Sequence, residues 1–165
     1  MSGDDYRGLG WAHGALTVQR LGAMLAPVTF VLADGRQVSP MHIAPWANEP
    51  ESETLPGILR KLRGEWPCVP FGYSMSADGW PAIWARVMGP PGPDEEVHGH
   101  SSNHDWAWRD SPRGSLSLAL AYPETSPVER VERTITPDPS APAVDIEFRI
   151  FVRRACRLPI GLHQV

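Results

Sequence analysis

The chain has 165 residues, with 15 Lys and Arg against 19 Asp and Glu for a formal charge of −4. That length suits one core, and no basic run could neutralise a row of phosphates, which excludes nucleic acid as a partner. Its 18 prolines and 15 glycines interrupt helices and favour short strands joined by turns, so the expected class is all-β, as a single domain over 1–165. No run of 18 apolar residues is present, and "MSGDDYRGLGWAHG" lacks the basic and apolar regions of a secretory signal. The reading is therefore a soluble cytoplasmic chain with no membrane partner, in which Cys68 and Cys156 stay reduced.

In chain order, residues 15–46 read as a small meander: "ALTVQR", "APVTFVL", an Asp34-Gly35 turn, then "QVSPMHIAPW". Pro27 and Pro40 lie inside these runs, so at least one belongs to an edge or a bulge. In "ETLPGILRKLRGEWP", Leu55, Ile58, Leu59 and Leu62 recur at the spacing of one helical face, which predicts a helix over 54–63. Thr54 can cap its start and Gly64 can end it. After "WPCVPFG" and a turn at Asp78-Gly79, "WPAIWARVM" reads as a strand over 80–88, and "GPPGPDEE" must be a loop.

The second half is periodic. Leu116, Leu118, Leu120 and Tyr122 alternate with small residues, and Val144, Ile146, Phe148 and Ile150 alternate with charged ones. Both patterns predict half-buried antiparallel strands that share a core face. "VERVERTIT" between them is weaker, because its charges fall on both faces. "DPSAPA" is a turn, and "RACRLPIGLHQV" runs strand-like to the last residue.

The chemistry concentrates in "EEVHGHSSNHDWAW". On a strand, His98 and His100 would share a face, and His104 or Asp105 could complete a three-ligand metal site. A cupin, however, places a Glu after the second His and then a P-x-G-x-x-H motif, and neither is present, so no metal is assigned. A sugar site needs polar groups for hydroxyls and aromatic faces for the C–H face of the ring, and His, Asn and Trp at close spacing supply both. His13 and His42 have no companions and read as ordinary histidines.

Four segments in order, "APW" at 44–46, "LRGEWPCVPFG" at 62–72, "VHGHSSNHDW" at 97–106 and "LPIGLH" at 158–163, resemble the N-terminal half of the galactose mutarotase (aldose 1-epimerase) superfamily. The resemblance implies a β-supersandwich of antiparallel sheets with one short helix, apparently truncated at its C-terminus. It implies that His98 binds sugar hydroxyls and that His163 is the general acid that protonates the ring oxygen. Asn103 and Trp106 would shape the same cleft, and Phe71 and Trp46 would be its other substrate-binding side chains. No cofactor is assigned. Ser102 stands where many hexose-phosphate relatives carry Arg, so a phosphate clamp is not implied.

The family's basic carboxylate lies in its C-terminal half; in this chain Asp105, Glu95 and Glu96 are the nearby carboxylates. The expected function is thus aldose 1-epimerase chemistry, in which one group protonates the ring oxygen and another takes the proton of the anomeric hydroxyl. The alternatives are a non-catalytic carbohydrate-binding module that has lost the base and, more remotely, a cupin-like metal protein. With the base missing, sugar binding through His98 and Asn103 should be weak and mutarotation little faster than buffer. The sheet faces left uncovered should recruit a second copy, making a homodimer, or else leave the protein poorly soluble.

Overall fold

The computed structural model describes residues 4–55, 57–72 and 96–165. The strand expected over 80–88, the turn at 78–79 and all but the last residue of the 89–96 loop lie outside the described residues. Strands β1 (Tyr6–Trp11), β2 (Gly14–Gln19), β3 (Leu25–Val31), β4 (Gln37–Val38), β5 (Glu65–Cys68) and β10 (Gly161–Gln164) form one antiparallel sheet in the order β1-β2-β3-β5-β10, with β4 on β3. Strands β6 (Ala107–Arg109), β7 (Leu116–Ala121), β8 (Val128–Pro137) and β9 (Val144–Val152) form a second antiparallel sheet in chain order. The protein is an all-β, two-sheet sandwich.

The core lies between the sheets. Leu16, Val18, Leu25 and Val28 from the first meet Leu116, Leu118, Val128, Val131 and Ile135 from the second, with Trp106 buried among them. Register explains the alternation read in the sequence. Leu116, Ile135 and Ile146 stand opposite one another across β7, β8 and β9, as do Leu118, Arg133 and Phe148, and Leu120, Val131 and Ile150. Side chains opposite each other point to one face, so these three rows form the expected core face. On β9, which has one partner strand among the described residues, Phe148 and Ile150 pack against the core while Ile146 stays 38% exposed.

"VERVERTIT", expected to be weak, belongs to the ten-residue strand between β7 and β9. Its periodicity is sound. The residue that hid it is Arg133, which points inward and is buried because Glu65 of β5 and the Ala23 carbonyl receive its guanidinium.

The helix expected over 54–63 is not formed. The segment makes 3₁₀ turns at Pro50–Thr54 and Gly57–Lys61, preceded by another at Pro45–Asn48. Leu55 is extended and Gly57 left-handed (φ +46°), so the 3.6-residue period is broken in its first turn. Among the described residues the Thr54 hydroxyl donates backwards, to the Glu51 carbonyl. Ile58 is buried and packs with Met24, Trp66, Cys68 and Leu62 in a second small core, whereas Leu59 is exposed.

The α-helix among the described residues is α1 (His100–Asn103), a single turn. The meander ends sooner than expected, since "QVSPMHIAPW" is a strand only over β4 and then continues as an isolated bridge at Ile43 and a 3₁₀ turn. Pro27 sits where the β2–β3 register shifts, a bulge that spares the ladder its missing donor. In the last segment only β10 is a strand. No helix among the described residues is long and apolar enough to cross a membrane.

Candidate functional site

The site is built on the pairing of β5 with β10. Period two puts Trp66 and Cys68 on one face of β5 and Glu65 on the other, toward Arg133. In the ladder His163 lies opposite Trp66, and Gly161 opposite Cys68. The His163 imidazole stacks on the Trp66 indole, centroids 4.6 Å apart and planes 23° apart. Gly161 has no side chain, and Phe71 takes the space: a Cβ on Gly161 would lie 2.4 Å from the Phe71 ring. The Phe71 amide donates to the Pro159 carbonyl, which ties the "PFG" turn to the approach of β10.

His98 comes from the other side. Its amide donates to the Gly72 carbonyl, and its backbone is left-handed (φ +61°), a conformation non-glycine residues rarely adopt. Gly99 follows at φ +79°, and a Cβ there would lie 2.4 Å from the Pro70 carbonyl oxygen, so only glycine lets this turn lie on the 69–70 backbone. Serines lock it in place. The Ser101 hydroxyl donates to the Pro67 carbonyl and accepts from the Val69 amide, both at 2.8 Å. The Ser102 hydroxyl donates to the His98 carbonyl and lies 3.5 Å from the Cys68 sulfur.

His98 and His163, 65 positions apart in sequence, are thereby brought together with ring centroids 4.7 Å apart, and Phe71 lies 5.6 Å and 6.5 Å from them. Both imidazoles are half-buried. Burial, and then the neighbouring His163, hold His98 below the ordinary histidine value, so it is neutral at pH 7. Among the described residues its Nδ1 is buried and has no hydrogen-bond partner. Beneath the pair lies Cys68, fully buried, its thiol pushed up by burial. Ligand atoms of Cys68, His98 and His163 all fall within 4.8 Å of one another. From sequence Cys68 is only a reduced thiol; its alternation with Trp66 on β5 is the signal that places it here.

The other named residues stand apart from this pair. The Asn103 side chain is spent on the backbone: Oδ1 accepts from the Ile58 amide and Nδ2 donates to the Val97 and Gly99 carbonyls. It holds the turn that carries His98. Trp106 is in the sandwich core, its indole N–H donating to the Ser101 carbonyl. Trp46, in the first 3₁₀ turn, donates to the Leu59 carbonyl, and among the described residues no ring contact joins it to the histidines.

The strand reading of His98 and His100 does not hold either. His100 begins α1 and joins a different group, with His104 (centroids 3.9 Å), Tyr122 (4.7 Å) and Glu96, whose carboxylate is 2.9 Å from His104 Nε2 and 3.7 Å from His100 Nδ1. Glu96 is thus engaged away from the His98–His163 pair. Asp105 lines a separate polar cavity of about 140 Å³ with Asp5, Arg20 and Lys61, and Glu95 lies outside the described residues. Cys68 and Cys156 form no disulfide. Compared with known proteins, the chain matches no protein-family model, no curated protein and no solved structure.

Proposed function

We propose that the His98–His163 pair is the sugar-contacting centre of a mutarotase-like carbohydrate protein, with a β-supersandwich architecture and aldose 1-epimerase chemistry. The observation that carries this reading is the meeting of two histidines 65 positions apart against an exposed aromatic ring, Phe71. Two imidazoles beside an apolar face offer what a pyranose presents, hydroxyls on its edge and C–H groups on its face. His163 would give its proton to the ring oxygen as the bond from that oxygen to the anomeric carbon breaks. Neutral His98 would hydrogen-bond the hydroxyls, and a base would take the proton of the anomeric hydroxyl.

A second reading, a binding module without catalysis, is favoured by one observation. Among the described residues no hydrogen bond or ion pair joins a carboxylate to either histidine, and Glu96 pairs with His104 and His100 instead.

Exchange between anomers of free aldoses, followed by NMR, tests both. Exchange above buffer that falls about 10²- to 10⁴-fold on His163→Ala is the epimerase result. Sugar-induced change in tryptophan fluorescence with exchange equal to buffer is the binding-module result. No response to any aldose overturns both.

A further inference from the structure

We propose that Cys68, His98 and His163 form a binding site for one thiophilic divalent cation of the zinc class. The inference goes beyond the sugar reading and stands on the geometry of the three donors. One thiol and two imidazoles are the donor types zinc prefers, and three protein ligands with a fourth position left to water or a small molecule is the pattern of its reactive sites.

The donors already lie close to the required spacing. Metal–sulfur bonds of about 2.3 Å and metal–nitrogen bonds of about 2.0–2.1 Å at tetrahedral angles put donor atoms about 3.3–3.7 Å apart. Here all lie within 4.8 Å, a gap that small side-chain rotations close.

The scaffold holds each donor from a different element: Cys68 on β5, His98 on the turn before α1, His163 on β10. Trp66 fixes the plane of the His163 ring by stacking, and Ser102 ties the His98 carbonyl beside the Cys68 sulfur. Two features of His98 otherwise go unexplained, its left-handed backbone and a buried Nδ1 that has no partner among the described residues. Strain and an unsatisfied buried nitrogen both destabilise the fold, and both are usual where a side chain is held ready for a ligand. Cation binding would expel the Cys68 proton, so affinity should rise with pH.

The other histidine group is a weaker candidate. Glu96 is exposed and already hydrogen-bonded to the half-buried His104, so a cation there would have to displace an existing contact.

The test uses reduced, chelator-treated protein and Co²⁺ as the probe. One Co²⁺ per chain should bind with a thiolate-to-metal charge-transfer band in the near ultraviolet, and Zn²⁺ should displace it. Cys68→Ser should abolish the band and weaken Zn²⁺ binding by at least about 100-fold, the upper end of what losing an outer-shell partner costs. Because Cys68 is buried, His163→Gln on the half-buried face of β10 provides a second variant and should weaken Zn²⁺ binding comparably with circular dichroism unchanged. His104→Ala should leave binding intact.

No charge-transfer band in the parent protein, Zn²⁺ affinity unchanged in both site variants, or binding lost in His104→Ala would overturn the site. The two proposals fail separately. Cys68-dependent Zn²⁺ binding with no sugar response removes the sugar reading alone, and a sugar response that depends on His163 without metal binding removes the cation site alone.

Discussion

Arg133 of β8 and Glu65 of β5 meet between the two sheets as an ion pair in which the side chains are 1% and 3% exposed. The guanidinium also donates to the Ala23 carbonyl at 2.8 Å, so β8 is tied both to β5 and to the residues leading into β3. Burial lowers the arginine's proton affinity, and the facing carboxylate opposes that effect. Removing one partner leaves the other charged and dry. Glu65→Ala is therefore expected to destabilise by about 3–5 kcal/mol, and the Glu65→Ala, Arg133→Met pair by clearly less than the sum of the two single changes. Urea titration of the three variants measures this; additive losses would show that the pair is not coupled.

The 3₁₀ turn at Gly57–Lys61 separates two neighbouring leucine-class residues that a helix would have placed together. Ile58 is 5% exposed and Leu59 is 42% exposed. Ile58→Ala should cost about 2–5 kcal/mol and Leu59→Ala roughly 0.5 kcal/mol or less. Equal losses in denaturant titration would mean that the segment packs as a regular helix in solution.

Gly161 is a test of the site that leaves its histidines in place. An added methyl would meet the Phe71 ring at 2.4 Å, and its backbone is not in the left-handed region, so the ring and not the chain must yield. Gly161→Ala should lower stability by about 1–3 kcal/mol. It should also shift the imidazole NMR signals of His98 and His163, while those of His13 stay where they are. Unmoved site signals would show that Phe71 does not set the environment of the pair.

The turn joining β8 to β9 offers a pH-dependent check. The Asp138 carboxylate accepts from the Ser140 hydroxyl and amide, both at 2.7 Å, and these bonds hold its proton affinity below the ordinary aspartate value. A carboxyl depressed in the folded state adds stability above its unfolded value, and that stability is lost as pH falls through its folded value in the acid range. Ser140→Ala removes the larger cause, so the Asp138 carboxyl should titrate closer to the ordinary value. Carbon-detected NMR titration reads this directly; an unchanged midpoint would place the control elsewhere.

Where burial follows from local alternation, the amino-acid order alone was enough. The face shared by Leu116, Leu118, Leu120, Phe148 and Ile150, the Asp34-Gly35 turn and the all-β class all follow from period two and turn chemistry, which act between near neighbours. The failed helix at 54–63 had the right spacing of apolar residues, but an extended Leu55 and a left-handed Gly57 decided the backbone. Arg133 disguised a central strand because its counter-charge is 68 positions away, and no local pattern shows that a buried charge has a partner.

The site divides in the same way. That His98 and His163 deserved attention was legible from the resemblance of their segments. Which groups join them was decided only by register: His163 opposite Trp66, Gly161 opposite Cys68, and a glycine turn laid on the backbone at Pro70. Those relations brought in Cys68, committed Asn103 to three backbone groups, put Trp106 into the core and drew His100 away to Glu96. Residue type states what a side chain can do, but long-range strand pairing fixes what it faces, because the energy of that pairing is spread over the whole sandwich and no short stretch of chain records it.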